Sequence, residues 1–182
     1  SRHHAPPNTQ TQRAPMSFYD SAAPAFLQTL GALSDILRKA EAHAAARKIA
    51  PETLLTARLY PDMLPLTRQI QIACDFAMKT CARLSGSEVP GTPDTEKTFD
   101  ELQQRLTRAV NYVKDTTPAK FEGAENRDVT FPAGPDKTMT LKGQQYLSHF
   151  ALPNFYFHAT TAYDILRHNG VEIGKLDFMG VK

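Results

Sequence analysis

Asn154 and His158 stand four residues apart near the start of the last apolar helical stretch, "LPNFYFHATTAYDILRHNG". At about 100° per residue, that spacing puts the two side chains about 40° apart, flanking one apolar arc. An imidazole changes charge near neutral pH, so His158 is the candidate general base or acid, with the neighbouring amide able to orient a substrate. The same pair also reads as a buried histidine whose ring nitrogens are satisfied by Asn154 and a backbone carbonyl. His149, in "YLSHFALP", is placed to approach the same end of the helix. His168 falls in the last turn, where it suits the helix dipole near solvent, and His43 falls at the exposed end of the first helix.

A second set lies around "YPDMLPLTRQIQIACD". Asp62 and Gln69 are seven residues apart and share an arc with Leu66, Ala73 and Phe76, whereas Gln71 points further out. Asp62 suits a helix start and Gln69 a hydrogen bond inside the fold, or both line a ligand pocket. Arg58 and Arg68 flank this start, as solvated cations or as contacts for an anionic ligand. Cys74 and Cys81 share a helical face about 10 Å apart along the axis, too far for a disulfide, and read as reduced core residues. That usage suits a cytoplasmic protein. The sequence has no glycine-rich phosphate loop, nucleophile elbow, paired-cysteine metal motif or HExxH helix.

Positioning these residues requires helices. Phe26, Leu30, Leu33, Leu37, Ala40 and Ala44 form one stripe, predicting a helix from about Asp20 to Arg47. Leu66, Ile70, Ala73, Ala77, Cys81 and Leu84 form the second, predicted from about Asp62 to Leu84, with Pro65 in its first turn and Gly86 closing it. Thr98 and Glu101 make a capping-box pattern ahead of Phe99, Leu102, Leu106, Ala109 and Val113, in a helix that stops before Pro118. "DVTF" and "KTMTL" alternate around "PAGPD" and predict a hairpin with Val129, Phe131, Met139 and Leu141 on one face. The fourth helix starts between Gln144 and Pro153 and ends at Gly170. Four such amphipathic stripes bury one another, so the expected fold is an all-α four-helix bundle with a small β-hairpin between helices three and four.

The chain has 182 residues, 41% hydrophobic and 22% charged, the size and composition of one globular domain. The 21 Lys and Arg exceed the 19 Asp and Glu by two, and two of the cations, Arg2 and Arg13, lie in the acid-free opening "SRHHAPPNTQTQRAP". Residues 1–15 therefore read as a tail or tag remnant, and residues 16–182 as the bundle domain. A charge-balanced body argues against nucleic acid as a partner. No apolar run approaches the ~18 residues of a membrane span, which argues against a membrane partner.

Three stretches carry a resemblance to a known family: "MSFYDSAAPAFLQTLGALSDILRKAEAHA", "RLYPDMLPLTRQIQIACDFA" and "HFALPNFYFHATTAYDILRHNGVEIGKLDF". Together they resemble the DUF1993 family, a branch of the DinB/YfiT-like helical bundles, over residues 16 to 180. The resemblance implies a four-helix bundle, often a homodimer, whose relatives bind a divalent metal through one histidine on helix two and an HxxxH pair on the last helix. Some are thiol-cofactor-dependent transferases or isomerases. Carried onto this sequence, the pair falls at Asn154 and His158, and the helix-two ligand at Gln71 by motif or Gln69 by helical phase. Only His158 matches a metal ligand. A Gln, Asn, His set is poor for zinc or nickel, so any metal site is degenerate unless Asp62 or His149 completes it.

The expectation is thus a bundle protein with a small-molecule pocket near the start of helix four, formed by Asp62, Gln69, Gln71, His149, Asn154 and His158. Two alternatives stand beside it: a metal-dependent transferase or isomerase, and a noncatalytic structural or dimerising module.

Overall fold

In the computed structural model, which describes residues 16–181, the first stripe becomes helix α1 (Ala23–Arg47). Pro24 sits in its first turn, and Lys48 ends it in the left-handed conformation at φ 55°. A short helix α2 (Pro51–Leu55) follows, which the sequence pattern did not announce; it needs only Pro51 at its start and two buried leucines, Leu54 and Leu55. The expected tail at residues 1–15 lies outside the described residues.

The second long helix, α3 (Leu66–Ser85), begins four residues later than Asp62. Pro65 is its extended N-cap at ψ 166° rather than a member of its first turn. The proline ring disfavours helical geometry in the residue before it, so Leu64 stays outside the helix and Asp62 lies exposed in the preceding turn. Gly86 closes the helix at φ 68°. Helix α4 (Phe99–Asp115) starts as expected, with the Glu101 N–H donating to Thr98 Oγ1 at 3.1 Å. The Glu101 carboxylate accepts from the N–H of Lys97, one residue beyond the usual box, at 2.5 Å.

Strands β1 (Asp128–Pro132) and β2 (Thr138–Lys142) pair antiparallel with Val129 opposite Leu141 and Phe131 opposite Met139. The four apolar residues share a face, but only Val129 and Phe131 are buried while Met139 is 45% exposed, so just one strand seals against the bundle. The chain then turns into α5 (Gly143–Gln145). A Cβ at Gly143 would lie 1.9 Å from the carbonyl oxygen of Ala124, so only glycine fits this approach.

Helix α5 runs without a break through a π-helical turn (Tyr146–Ala151) into α6 (Leu152–His168). Pro153 therefore does not open the helical segment. It lacks the N–H that an α-helix would offer to the carbonyl of His149, and the widened turn lies directly upstream. A last helix α7 (Lys175–Met179), also unannounced, packs on α1 through a hydrogen bond from Gln28 Nε2 to the Met179 carbonyl and an ion pair between Lys39 and Asp177.

The four long helices form the expected bundle. Helix α3 packs most extensively against α6 and next against α4, and α1 packs chiefly against α4. The core fills the space between them, with the Phe26 and Phe155 rings meeting edge-on at 4.8 Å. No helix among the described residues is long and apolar enough to cross a membrane.

Candidate functional site

Helix α3 carries polar side chains into two different seams. On the α6 side, Gln69 is buried and its Oε1 lies 2.6 Å from His158 Nδ1. The other end of the Gln69 amide donates from Nε2 to the Leu64 carbonyl at 3.0 Å. A carbonyl can only accept, so the amide nitrogen must face Leu64 and the amide oxygen must face the imidazole. His158 therefore carries its proton on Nδ1, leaving the Nε2 lone pair free. Among the described residues no protein group bonds Nε2, and it is not among the sealed polar atoms.

Burial of the half-exposed His158 ring, with a smaller push from the Arg68 charge, lowers its pKa below the ordinary histidine value. The ring is thus neutral at pH 7. Phe76 lies nearly parallel to it, with centroids 6.2 Å apart, and Phe157 meets it edge-on at 5.2 Å. A neutral imidazole with a fixed tautomer and one open nitrogen is an acceptor or a base, and a poor acid.

The other expected residues do not converge on this ring. Asn154 donates to the Phe150 carbonyl at 2.8 Å, four residues back on its own helix, rather than to His158. His149 and Asp62 are exposed, and neither hydrogen-bonds to the His158 ring. Gln71, expected to point outward, is buried in the opposite seam, where its amide accepts from Arg68 at 2.8 Å and donates to Glu96 at 2.8 Å. His43 is half-buried rather than exposed, and His168 is exposed.

That opposite seam is built around Arg105, whose side chain is 0% exposed. Its guanidinium donates to Asp75 at 2.9 Å, to Asp94 at 3.1 Å, to both Glu96 oxygens at 3.1 Å and to the Pro93 carbonyl at 3.0 Å. Arg68 pairs with Asp94 at 2.7 Å, so it is no free surface cation. Arg58 bonds the carbonyl of Met63 at 2.9 Å and shapes the turn before α3. Burial alone would raise the Glu96 pKa, but bonds from its own backbone N–H, Arg105 and Gln71 together hold it below the ordinary value. Arg105 escaped the sequence reading, although a cation three residues after Leu102 on an apolar stripe was a signal for a buried ion pair.

A groove of about 280 Å³ opens between α3, the hairpin and the π turn, lined by Ile72, Asp75, Phe76, Lys79, Arg83, Pro132 and Phe150. His158 meets this lining through Phe76, and Asn154 through the Phe150 carbonyl. Sequence reasoning read Phe76 only as a member of the Gln69 arc and did not reach Lys79, Arg83 and Phe150, which form one groove only where the hairpin and the π turn meet α3.

A divalent metal fits these residues poorly. His158 Nδ1 is engaged by Gln69, the Asn154 amide is engaged by its own helix, and the described residues hold no cluster of three His, Cys, Asp or Glu. Burial pushes the pKa of both Cys74 and Cys81 up to about 12, so neither offers a thiolate near pH 7. The donor set offers one imidazole nitrogen and neutral amides, against the imidazole, thiolate and carboxylate ligands that hold zinc.

The family model described as a domain of unknown function, DUF1993, matches residues 18–179. A crystal structure of a DinB family member from Shewanella denitrificans is similar at 41% identity and a TM-score of 0.84, over 90% of this chain and 92% of that one. No curated protein matches.

Proposed function

The chain belongs to the DUF1993 family, and from that premise we propose that it binds a small organic molecule in the groove beside the π turn, with His158 as a neutral acceptor at its margin. The observation that carries this reading is the chain of bonds from the Leu64 carbonyl through Gln69 to His158, which fixes the imidazole and leaves Nε2 open. Fixed polar groups beside an apolar, aromatic-walled hollow are the usual makings of a small-ligand site. The Phe76 and Phe150 rings, with centroids 5.9 Å apart, supply the apolar walls. An open, unprotonated Nε2 gives such a ligand an acceptor for an O–H or N–H, and a base if the ligand has an acidic proton. No metal step is part of this reading, because the donor set does not fit one.

A second reading is favoured by Asn154, whose amide turns away from His158 onto its own helix. In it, Gln69 and His158 are a structural hydrogen bond in a noncatalytic module. NMR of the full chain titrated with small aromatics, neutral and anionic, separates the two. Saturable shifts at Phe76, Phe150 and His158 support the binding reading. Shifts that never saturate, or that fall on other faces, leave the structural one.

A further inference from the structure

We propose that the groove accepts a small organic carboxylate whose anion bridges Lys79 and Arg83 while its apolar body lies against Phe76, Phe150 and Ile72. This rests on the groove being a ligand site and adds the chemical class of the ligand. Ile72, Phe76, Lys79 and Arg83 follow one another at steps of four, three and four on α3, so they form one stripe facing the groove. Its first half is apolar and its second half cationic, the order of a body and a charged head.

The charges on this stripe do not balance locally. Asp75 is the one acid in the lining, and its Oδ1 is already held by the buried Arg105 at 2.9 Å, leaving Oδ2 to Lys79 at a long 3.4 Å. Among the described residues Arg83 bonds to no acid. Its Nη1 donates to the Tyr146 hydroxyl at 3.0 Å, and its guanidinium stands 5.9 Å over the Tyr146 ring. Tyrosine thus holds Arg83 in place without neutralising it, and the remaining guanidinium donors keep their capacity. Two cations one helical turn apart repel each other, and an anion set between them relieves that repulsion while accepting from both.

Size and walls narrow the class further. A volume of about 280 Å³ lies just below the usual range of ligand sites, which suits a ligand smaller than a nucleotide or a thiol cofactor of peptide size. The tilted Phe76 and Phe150 rings, at 59° to each other, suit a flat or branched hydrocarbon body rather than a polyhydroxylated one.

The test compares phenylacetate with the neutral 2-phenylethanol by NMR titration of the full chain, followed at Phe76 and Phe150. Phenylacetate is expected to bind at least about tenfold more tightly than the alcohol. Lys79→Met and Arg83→Met should each weaken phenylacetate by about tenfold, the loss of one charge-assisted hydrogen bond, while Lys114→Met on the α4 surface changes nothing. If the alcohol binds in the groove as well as the acid, or if both groove variants bind phenylacetate unchanged, the carboxylate assignment is wrong while the groove remains a ligand site. If neither probe perturbs Phe76 or Phe150, the groove reading falls as well.

Discussion

The two polar seams of α3 solve the same problem in opposite ways. Toward α4, Arg105 is enclosed and answered by three carboxylates, a backbone carbonyl and the Gln71 amide behind them; its buried Nε has no partner among the described residues. Toward α6, a single neutral hydrogen bond joins Gln69 to a half-exposed imidazole and leaves its second nitrogen open. A network in which nearly every charge around Arg105 is answered holds structure and leaves little capacity for a ligand. A half-satisfied pair beside an aromatic-walled groove has that capacity. On the reading proposed above, one seam serves stability and the other recognition.

The sharpest way to break this contrast is at Arg105. Arg105→Met strands Asp75 and Glu96 without their shared cation, and removing one partner of a buried ion network costs about 3–5 kcal/mol. Urea denaturation should show that loss, and a loss under about 1 kcal/mol would mean that the α4 seam is not held by its charges. On the other side, His158→Ala should cost less, about 1–3 kcal/mol, because it orphans one buried amide oxygen rather than a charge. Equal losses at the two sites would erase the distinction.

Acid sharpens the comparison further. The His158 pKa is lowered on folding, so the unfolded chain takes up a proton first. Its stabilising contribution is complete above the unfolded value of about 6.5 and is lost as pH falls through the folded value. Glu96 behaves alike at lower pH: its contribution is complete above about 4.5 and is lost below that as the carboxylate protonates. Denaturation midpoints followed from about pH 8 to about pH 2 should therefore fall in two stages, and His158→Ala should remove the first only. A smaller effect is expected for Arg68→Met, which removes the nearby positive charge and raises the His158 pKa in an NMR titration. The smallest is no effect at all: zinc or nickel added to the protein freed of residues 1–15, which contain His3 and His4, should leave less than about a tenth of an equivalent bound.

Much of this fold was legible in the sequence because long amphipathic stripes carry a repeated signal. All four long helices and a hairpin with Val129, Phe131, Met139 and Leu141 on one face follow from periodicity and turn residues, whereas the register of Val129 opposite Leu141 came from the structure. Short elements such as α2 and α7 have too few turns to show a period. The start of α3 was misplaced because Pro65 is tolerated in a first turn and also as an N-cap, and the preceding residues decide which. The site was half legible. Gln69 and Gln71 both stood as pocket candidates, Gln71 by motif and Gln69 by helical phase; Gln69 meets His158, and the two amides lie in opposite seams. The phase of Asn154 was readable, but its side chain satisfies a carbonyl four residues back, a local bond that competes at every such position. Arg105 was hidden because its three acids come from α3 and from the loop before α4, whose folding over the seam no local pattern encodes.

The open Nε2 of His158 is the point on which the functional reading turns, and a long-range proton–nitrogen NMR spectrum at pH 7.5 measures it directly. The ring should be neutral with its proton on Nδ1, and adding 2-phenylethanol, whose O–H can donate to it, should shift the bare Nε2. A ring protonated on Nε2, or one whose nitrogens ignore the alcohol at saturating concentration, would contradict it.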